Sequence, residues 1–287
     1  MNCSHKCYGI ALAFAVGLPF TFICTTASAN NNDKPVTAAA SQPQGAIYGS
    51  AVAYYTSNFY APSEYSSERS VGLDGKIGYR FANRQKISLL LSGYDAISGE
   101  SQGQYWNDGW LRHQIPTLYS YADWLNIGAE EGLRLPLSEQ SRRDDLRTAL
   151  RVGLPFDFSP SRWISGLEIT FRPRLAYNFY EYETRGGNNL NEWSLDNLLE
   201  FYYQPGAHWS ADVSLVRVTN WTYKGTRVRE NLQHIEELGY HFTDSMALYL
   251  NHTNSGSYYN PELGGGGGLS FYDKEHSTWS VSFEYLY

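Results

Sequence analysis

Five arginines pose the first chemical question in this 287-residue chain. Arg134, Arg147, Arg151, Arg172 and Arg174 fall in three successive segments, each on the polar phase of an alternating apolar–polar pattern. A guanidinium is planar, permanently charged and shaped for bidentate contact with carboxylates. Five of them on one face would make a ladder for anionic groups. Glu168, Asp196 and Glu200 occupy the same polar phase. The same residues therefore also allow a plainer outcome, ion pairs that fill an interior.

A second candidate is Asn251-His252-Thr253-Asn254-Ser255-Gly256. His252 is in phase with the apolar Met246, Leu248 and Leu250. A histidine base and a serine two residues on would share one face of a strand, the geometry of an activated nucleophile. Here the residue two on is Asn254, and Ser255 falls on the opposite face. A His252/Ser255 catalytic pair would need a bulge to re-register it. The five glycines Gly264 to Gly268 precede no Lys-Ser/Thr pair, so they are not a phosphate-binding loop. The sequence offers no metal motif, and no cofactor is expected.

The elements that must position these residues are strands. Alternating segments run through Ala46–Tyr60, Ser70–Phe81, Lys86–Ala96, Asp123–Leu137, Asp145–Phe158 and Leu167–Glu183. They continue through Trp193–Tyr203, Trp209–Tyr223, Asn231–Phe242, Met246–Tyr258 and Trp279–Tyr287. These are eleven strands, and bacterial single-chain barrels use an even number. The missing strand is expected in the loop-like region 101–118, giving about twelve, with ten as the fallback. Short turns at 205–208 and 243–245 alternate with longer loops at 185–192, 224–230 and 260–277, the rhythm of a membrane barrel with short turns on one side. Ser138–Asp144 reads as a charged loop, and an amphipathic helix competes for Leu137–Leu154. Pro173 inside a strand removes a ladder donor, so a bulge is expected there.

Composition agrees with this plan. Tyr 24, Trp 8 and Phe 13 make 16% aromatic residues, yet mean hydropathy is −0.44. A chain can be aromatic-rich and polar on average when the two kinds alternate, as in a transmembrane barrel. Residues 1–29 read as a signal peptide: basic His5 and Lys6, an apolar run from Gly9 to Cys24, then Ala27-Ser28-Ala29 as the cleavage site. Residues 30–45 form a flexible leader, and 46–287 the barrel. All three cysteines lie in the expected signal peptide, so the exported chain is expected to have no disulfide framework. Its 21 basic residues (22 less Lys6) against 29 acidic argue against a nucleic-acid partner.

The last nine residues, W-S-V-S-F-E-Y-L-Y, put Trp279, Val281, Phe283, Tyr285 and Tyr287 on one face. This strand resembles the C-terminal strand of Gram-negative outer-membrane β-barrels, which closes the sheet and is read by the outer-membrane assembly machinery. The resemblance implies an all-β, transmembrane, antiparallel up-and-down barrel in the outer membrane, in contact with outer-membrane lipid. Its size, strand count and arginine placement are similar to the small monomeric porins for acidic oligosaccharides, of the oligogalacturonate-specific and sialic-acid type. That implies a passive channel with small anionic solutes as partners, its lumen lined by Arg134, Arg147, Arg151, Arg172, Arg174, Glu168, Asp196 and Glu200. The His252 segment resembles that of outer-membrane phospholipases and lipid A deacylases, implying an alternative lipid hydrolase at the rim. A closed structural or adhesive barrel is the third expectation.

Overall fold

The computed structural model describes residues 45–287, apart from 63, 100–101, 161, 229, 260–271, 273 and 275. The expected signal peptide, the leader up to residue 44 and the glycine run lie outside the described residues. Strands follow one another as β1 (Ala46–Asn58), β2 (Arg69–Arg80), β3 (Lys86–Ser98), β4 (Gly103–Trp106), β5 (Gly109–Tyr121) and β6 (Leu125–Leu135). A one-turn helix, α1 (Glu139–Arg143), precedes β7 (Leu146–Gly153), β8 (Phe156–Phe158) and β9 (Leu167–Tyr180). A small hairpin, β10 (Thr184–Arg185) and β11 (Asn188–Asn189), leads to β12 (Asn191–Tyr203). The chain ends with β13 (Trp209–Thr222), β14 (Glu230–Thr243), β15 (Met246–Tyr259) and β16 (Ser277–Leu286).

Successive staves of the main sheet pair antiparallel, and β16 returns to pair with β1. Two staves are each built from two strands, β4 with β5 and β7 with β8, so the result is a closed 12-strand antiparallel barrel. Closure leaves no sheet edge, the condition for placing a sheet in lipid. At the seam, Gly49 N donates to Tyr287 O at 3.0 Å and Tyr287 N to Gly49 O at 3.1 Å. The Tyr287 ring covers Gly49, where a Cβ would come within 2.2 Å of it.

The region expected to hide a weak strand contains β4 and β5. Their stave slips by one residue against β3 at Asn107-Asp108, with Gly93 opposite Trp106 and then Leu90 opposite Trp110. That slip, and a second between Ile115 and Tyr119 beside Pro116, break the alternation that a sequence pattern relies on. The bulge expected at Pro173 does not form. Instead the neighbouring stave is interrupted at Leu154-Pro155, and the register of β9 is the same on both sides of the gap. Pro155 and Pro173, one position out of opposition across the ladder, supply no N–H, while Leu154 N still donates to Pro173 O at 3.1 Å. Within Ser138–Asp144 the chain forms α1, capped by Ser138, whose hydroxyl accepts from Ser141 N. The longer amphipathic helix considered for Leu137–Leu154 is absent; that stretch enters β7.

The side chains sort by phase. Leu73, Ile77, Leu150, Val152, Leu238 and Leu250 point outward, each 49–58% exposed. A belt of this kind is stable only against hydrocarbon, so it is the membrane-facing surface. Aromatic clusters flank it. Trp209, Tyr240 and Phe242 interlock edge-to-face at the end with short turns, and Tyr177, Phe179 and Trp193 do so toward the loop end, with centroid distances of 4.7–5.1 Å.

Candidate functional site in the barrel lumen

The inward phase is polar, and charge is concentrated at mid-height. On β5 through β9, Arg112, Glu130, Arg151, Arg172 and Arg174 face the interior. Their registers show how such long side chains fit: Arg112 and Arg151 stand opposite Gly132, Arg151 also opposite Ala176, and Arg174 opposite Gly153. Small partners leave room for the guanidinium stems. Arg174 Nε lies 2.5 Å from Glu130 Oε1, with both side chains almost wholly covered. The Arg151 guanidinium lies 4.1 Å from the Trp110 ring centroid, a cation–π contact of about 1 kcal/mol. Asp196 on β12 stands directly opposite Arg174. This wall carries four arginines, Arg112, Arg151, Arg172 and Arg174, against two carboxylates.

Aromatic residues on the inward phase lie against the wall because the neighbouring strand offers a glycine. A Cβ on Gly72, Gly78 or Gly239 would sit 2.2–2.8 Å from the rings of Tyr54, Tyr48 and Tyr249 respectively. Each ring thus lies flat across the next stave, the packing known as aromatic rescue of glycine.

The far wall is acidic. Glu200, Asp212, Glu237 and Glu284, on β12, β13, β14 and β16, all face inward and are at most 7% exposed. Asp212 and Glu237 are direct cross-strand partners, an arrangement of like charges that costs stability. Tyr249 donates its hydroxyl to Glu284 at 2.9 Å, and Ser214 to Asp212 at 2.7 Å. Staves six apart in a twelve-stave barrel face each other, so β5 opposes β14 and β7 opposes β16. With the strand tilt that closure demands, the ladder registers bring Arg112, Arg172, Glu237 and Glu284 to one level.

The residues expected to line the lumen separate into groups. Arg151, Arg172, Arg174, Asp196 and Glu200 meet at mid-height. Glu168 faces inward nearer the short-turn end, opposite Tyr202. Arg134 is inward but nearer the loop end, where Asp108 Oδ2 lies 2.6 Å from its guanidinium. The same carboxylate accepts from Ser138 N at 2.7 Å and from the Ser141 hydroxyl. Arg134 therefore anchors α1 to the wall. Arg147 stands apart: a register shift between Leu146 and Thr148 leaves it 68% exposed, 3.7 Å from Glu181. Arg112 and Glu130 belong to the site although the arginine pattern passed them by. Arg112 sits in the stretch read as a loop, and Glu130 is the polar-phase neighbour of the outward Glu131.

His252 points outward near the loop end, opposite Glu236 and Trp279. Its Nδ1 is 3.4 Å from Glu236 Oε2, and its ring stacks on Tyr272 at 5.2 Å. Tyr272 donates to Glu236, and this bond raises the phenol's pKa above its usual value. Ser255 is opposite Gln233 on the inward phase, and Asn254 Nδ2 donates to Ser277 Oγ at 2.9 Å. Among the described residues no hydroxyl hydrogen-bonds to His252, so no nucleophile is presented to it.

No protein-family model matches the chain, and no curated protein matches it in sequence. Among solved structures, an outer membrane channel from Pseudomonas putida F1 is similar with a TM-score of 0.60 and 13% identity, over 86% of this chain and 97% of that one. The NanC porin is similar with a TM-score of 0.55 and 10% identity, over 83% of this chain and 98% of that one. The likeness to porin-like outer membrane channels, read from size, strand count and arginine placement, thus holds at the level of fold.

Proposed function

We propose that this protein is a passive channel in the outer membrane of a Gram-negative bacterium, admitting small hydrophilic solutes and engaging their anionic groups through its arginine wall. The observation that carries the reading is the charged mid-height lumen, with the inward Tyr48, Tyr54 and Tyr249 laid flat over glycines of the neighbouring strands. Four arginines against Glu130 and Asp196 leave that wall with two net positive charges at neutral pH. The fold it shares with outer membrane channels supports the same reading.

Export by a cleaved signal peptide and insertion by the outer-membrane assembly machinery belong to this proposal. The alternating face Trp279, Val281, Phe283, Tyr285 and Tyr287 is the recognition strand, and outer-membrane lipid surrounds the belt. Conductance across a planar bilayer tests the channel. Discrete steps are expected from the purified protein, and Arg151→Glu is expected to move the reversal potential in a KCl gradient toward cations. No steps, or a reversal potential unmoved by Arg151→Glu, would sink the proposal.

A further inference from the structure

Glu131 is out of place on a surface that meets hydrocarbon. It lies on the outward phase of β6, with six residues of the strand before it and four after it. Its cross-strand partner on β7 is Val152, part of the apolar belt and 55% exposed. The Glu131 side chain is itself 68% exposed. A charge on the lipid face costs stability, the more so the deeper it lies. Ionisable groups at membrane depth therefore occur where they pair or act. On β5 the cross-strand partner is His113, whose Nδ1 is 3.6 Å from Glu131 Oε2, too far for a hydrogen bond. The other ring nitrogen, Nε2, is engaged elsewhere, 3.3 Å from Gln85 Oε1. Among the described residues no closer polar group reaches Glu131. Other outward charges are satisfied within the chain. Glu236 accepts from Tyr272 and has His252 and His234 beside it, and Arg217 donates to Glu230 at 2.9 Å.

A carboxylate and an imidazole on adjacent staves make a self-complementary pair. Two copies inserted in the same sense are related by a two-fold axis along the membrane normal, and such an interface uses one patch twice. An axis between β5 and β6 sets β5 of each copy against β6 of the other. Because Glu131 and His113 are cross-strand partners, they share almost one height. Each Glu131 then meets the partner subunit's His113. Strands that tilt in each barrel cross at this axis, so the residues beside it come closest. Apolar Ile87, Leu111, Leu133 and Val152 surround the pair. Ala129, two residues before Glu131 on the same phase, leaves room for close approach, as small residues do at interfaces within membranes. We propose that the protein assembles as a two-fold dimer through the outward face of β5 and β6, with reciprocal Glu131–His113 contacts at its centre. The second copy takes both carboxylates out of hydrocarbon, and lipid meets the rest of the belt. This assembly concerns the outer surface and holds whatever the lumen conducts.

Counting subunits in vesicles tests it. Residues 30–287 contain no cysteine, so Thr226→Cys, exposed on the β13–β14 loop across the barrel from this face, carries a single dye. The labelled protein is refolded into phosphatidylcholine vesicles at increasing lipid-to-protein ratios. Photobleaching steps per spot are counted against the number expected from random co-occupancy. Two steps are expected for the otherwise unaltered protein. Glu131→Leu suits the lipid face and should fold, but it removes both reciprocal contacts. The lipid dilution at which half the pairs are lost is expected to fall about tenfold. The exchanged variant His113→Glu, Glu131→His keeps the pair self-complementary and is expected to restore the dimer. Heat-resistant electrophoretic mobility identifies the folded barrel for each variant. Single steps from the protein with native Glu131 and His113 at every dilution overturn the dimer, and the face then meets lipid or a different protein. Pairs that survive dilution unchanged in Glu131→Leu overturn the placing of the interface. A folded exchanged variant that stays monomeric overturns the reciprocal contact.

Discussion

Glu130 holds a cluster together that would otherwise repel itself. It sits among four arginines, is 3% exposed and makes its closest contact with Arg174. Removing one member of a buried ion pair leaves the other charge uncompensated. Glu130→Gln is therefore expected to cost about 3 kcal/mol of barrel stability, read as a lower urea midpoint for the loss of the folded form in lipid. The same substitution raises the net charge of the wall, so the reversal potential should move toward anions. Stability loss without that movement would mean that Glu130 does not face the conducting path. Of these residues, Arg151, Arg172 and Arg174 are plain in the sequence because clean alternation surrounds them. Arg112 is not, since the slips at Asn107-Asp108 and near Pro116 erase the period on both sides of it.

Single strands here carry their own packing rules, and the glycine–tyrosine pairs make the clearest case. Gly72 faces Tyr54 across the β1–β2 ladder, and an added Cβ would meet the ring at 2.2 Å. A valine there cannot coexist with the flat ring, so Tyr54 must swing off the wall into the bore. Gly72→Val is expected to reduce the single-channel step, at about 1–3 kcal/mol of stability for the overpacking. A second substitution, Tyr54→Ala, should restore the step by removing the displaced ring. If the step is unchanged in Gly72→Val, the ring does not border the path. Strand pattern shows which residues share a face, but not which glycine will lie under which ring. That depends on the register between two strands, and register is set by turns and bulges outside either one.

The whole barrel adds the distinction between lipid and lumen. Leu250 and Asn251 are consecutive, yet Leu250 is 52% exposed on the belt while Asn251 stands opposite Glu237 inside. Arginine at position 250 would face hydrocarbon and is expected to cost about 2–4 kcal/mol. Arginine at 251 would face the carboxylate wall and should cost much less. Equilibrium urea unfolding of Leu250→Arg and Asn251→Arg in lipid vesicles compares them directly. Equal costs would contradict the assignment of faces.

The sequence by itself determined the class of molecule. Alternation of period two, aromatic load, turn rhythm and the final strand are local properties, and each strand's pleat carries them whatever its neighbours do. They were enough for a transmembrane barrel of about twelve strands and for the inward phase of most of its arginines. Tertiary structure decided what those arginines face. Asp212, Glu237 and Glu284 are far from Arg112 and Arg151 along the chain, and only closure of β16 onto β1 sets the two groups across one bore. It also decided that Arg134 anchors α1, that a bulge turns Arg147 out to the rim, and that Ser255 stands on the opposite face from His252. The physical reason is the same in each case: a strand's pattern specifies its faces, whereas opposition across a lumen depends on strand number, tilt and shear, which belong to the closed sheet.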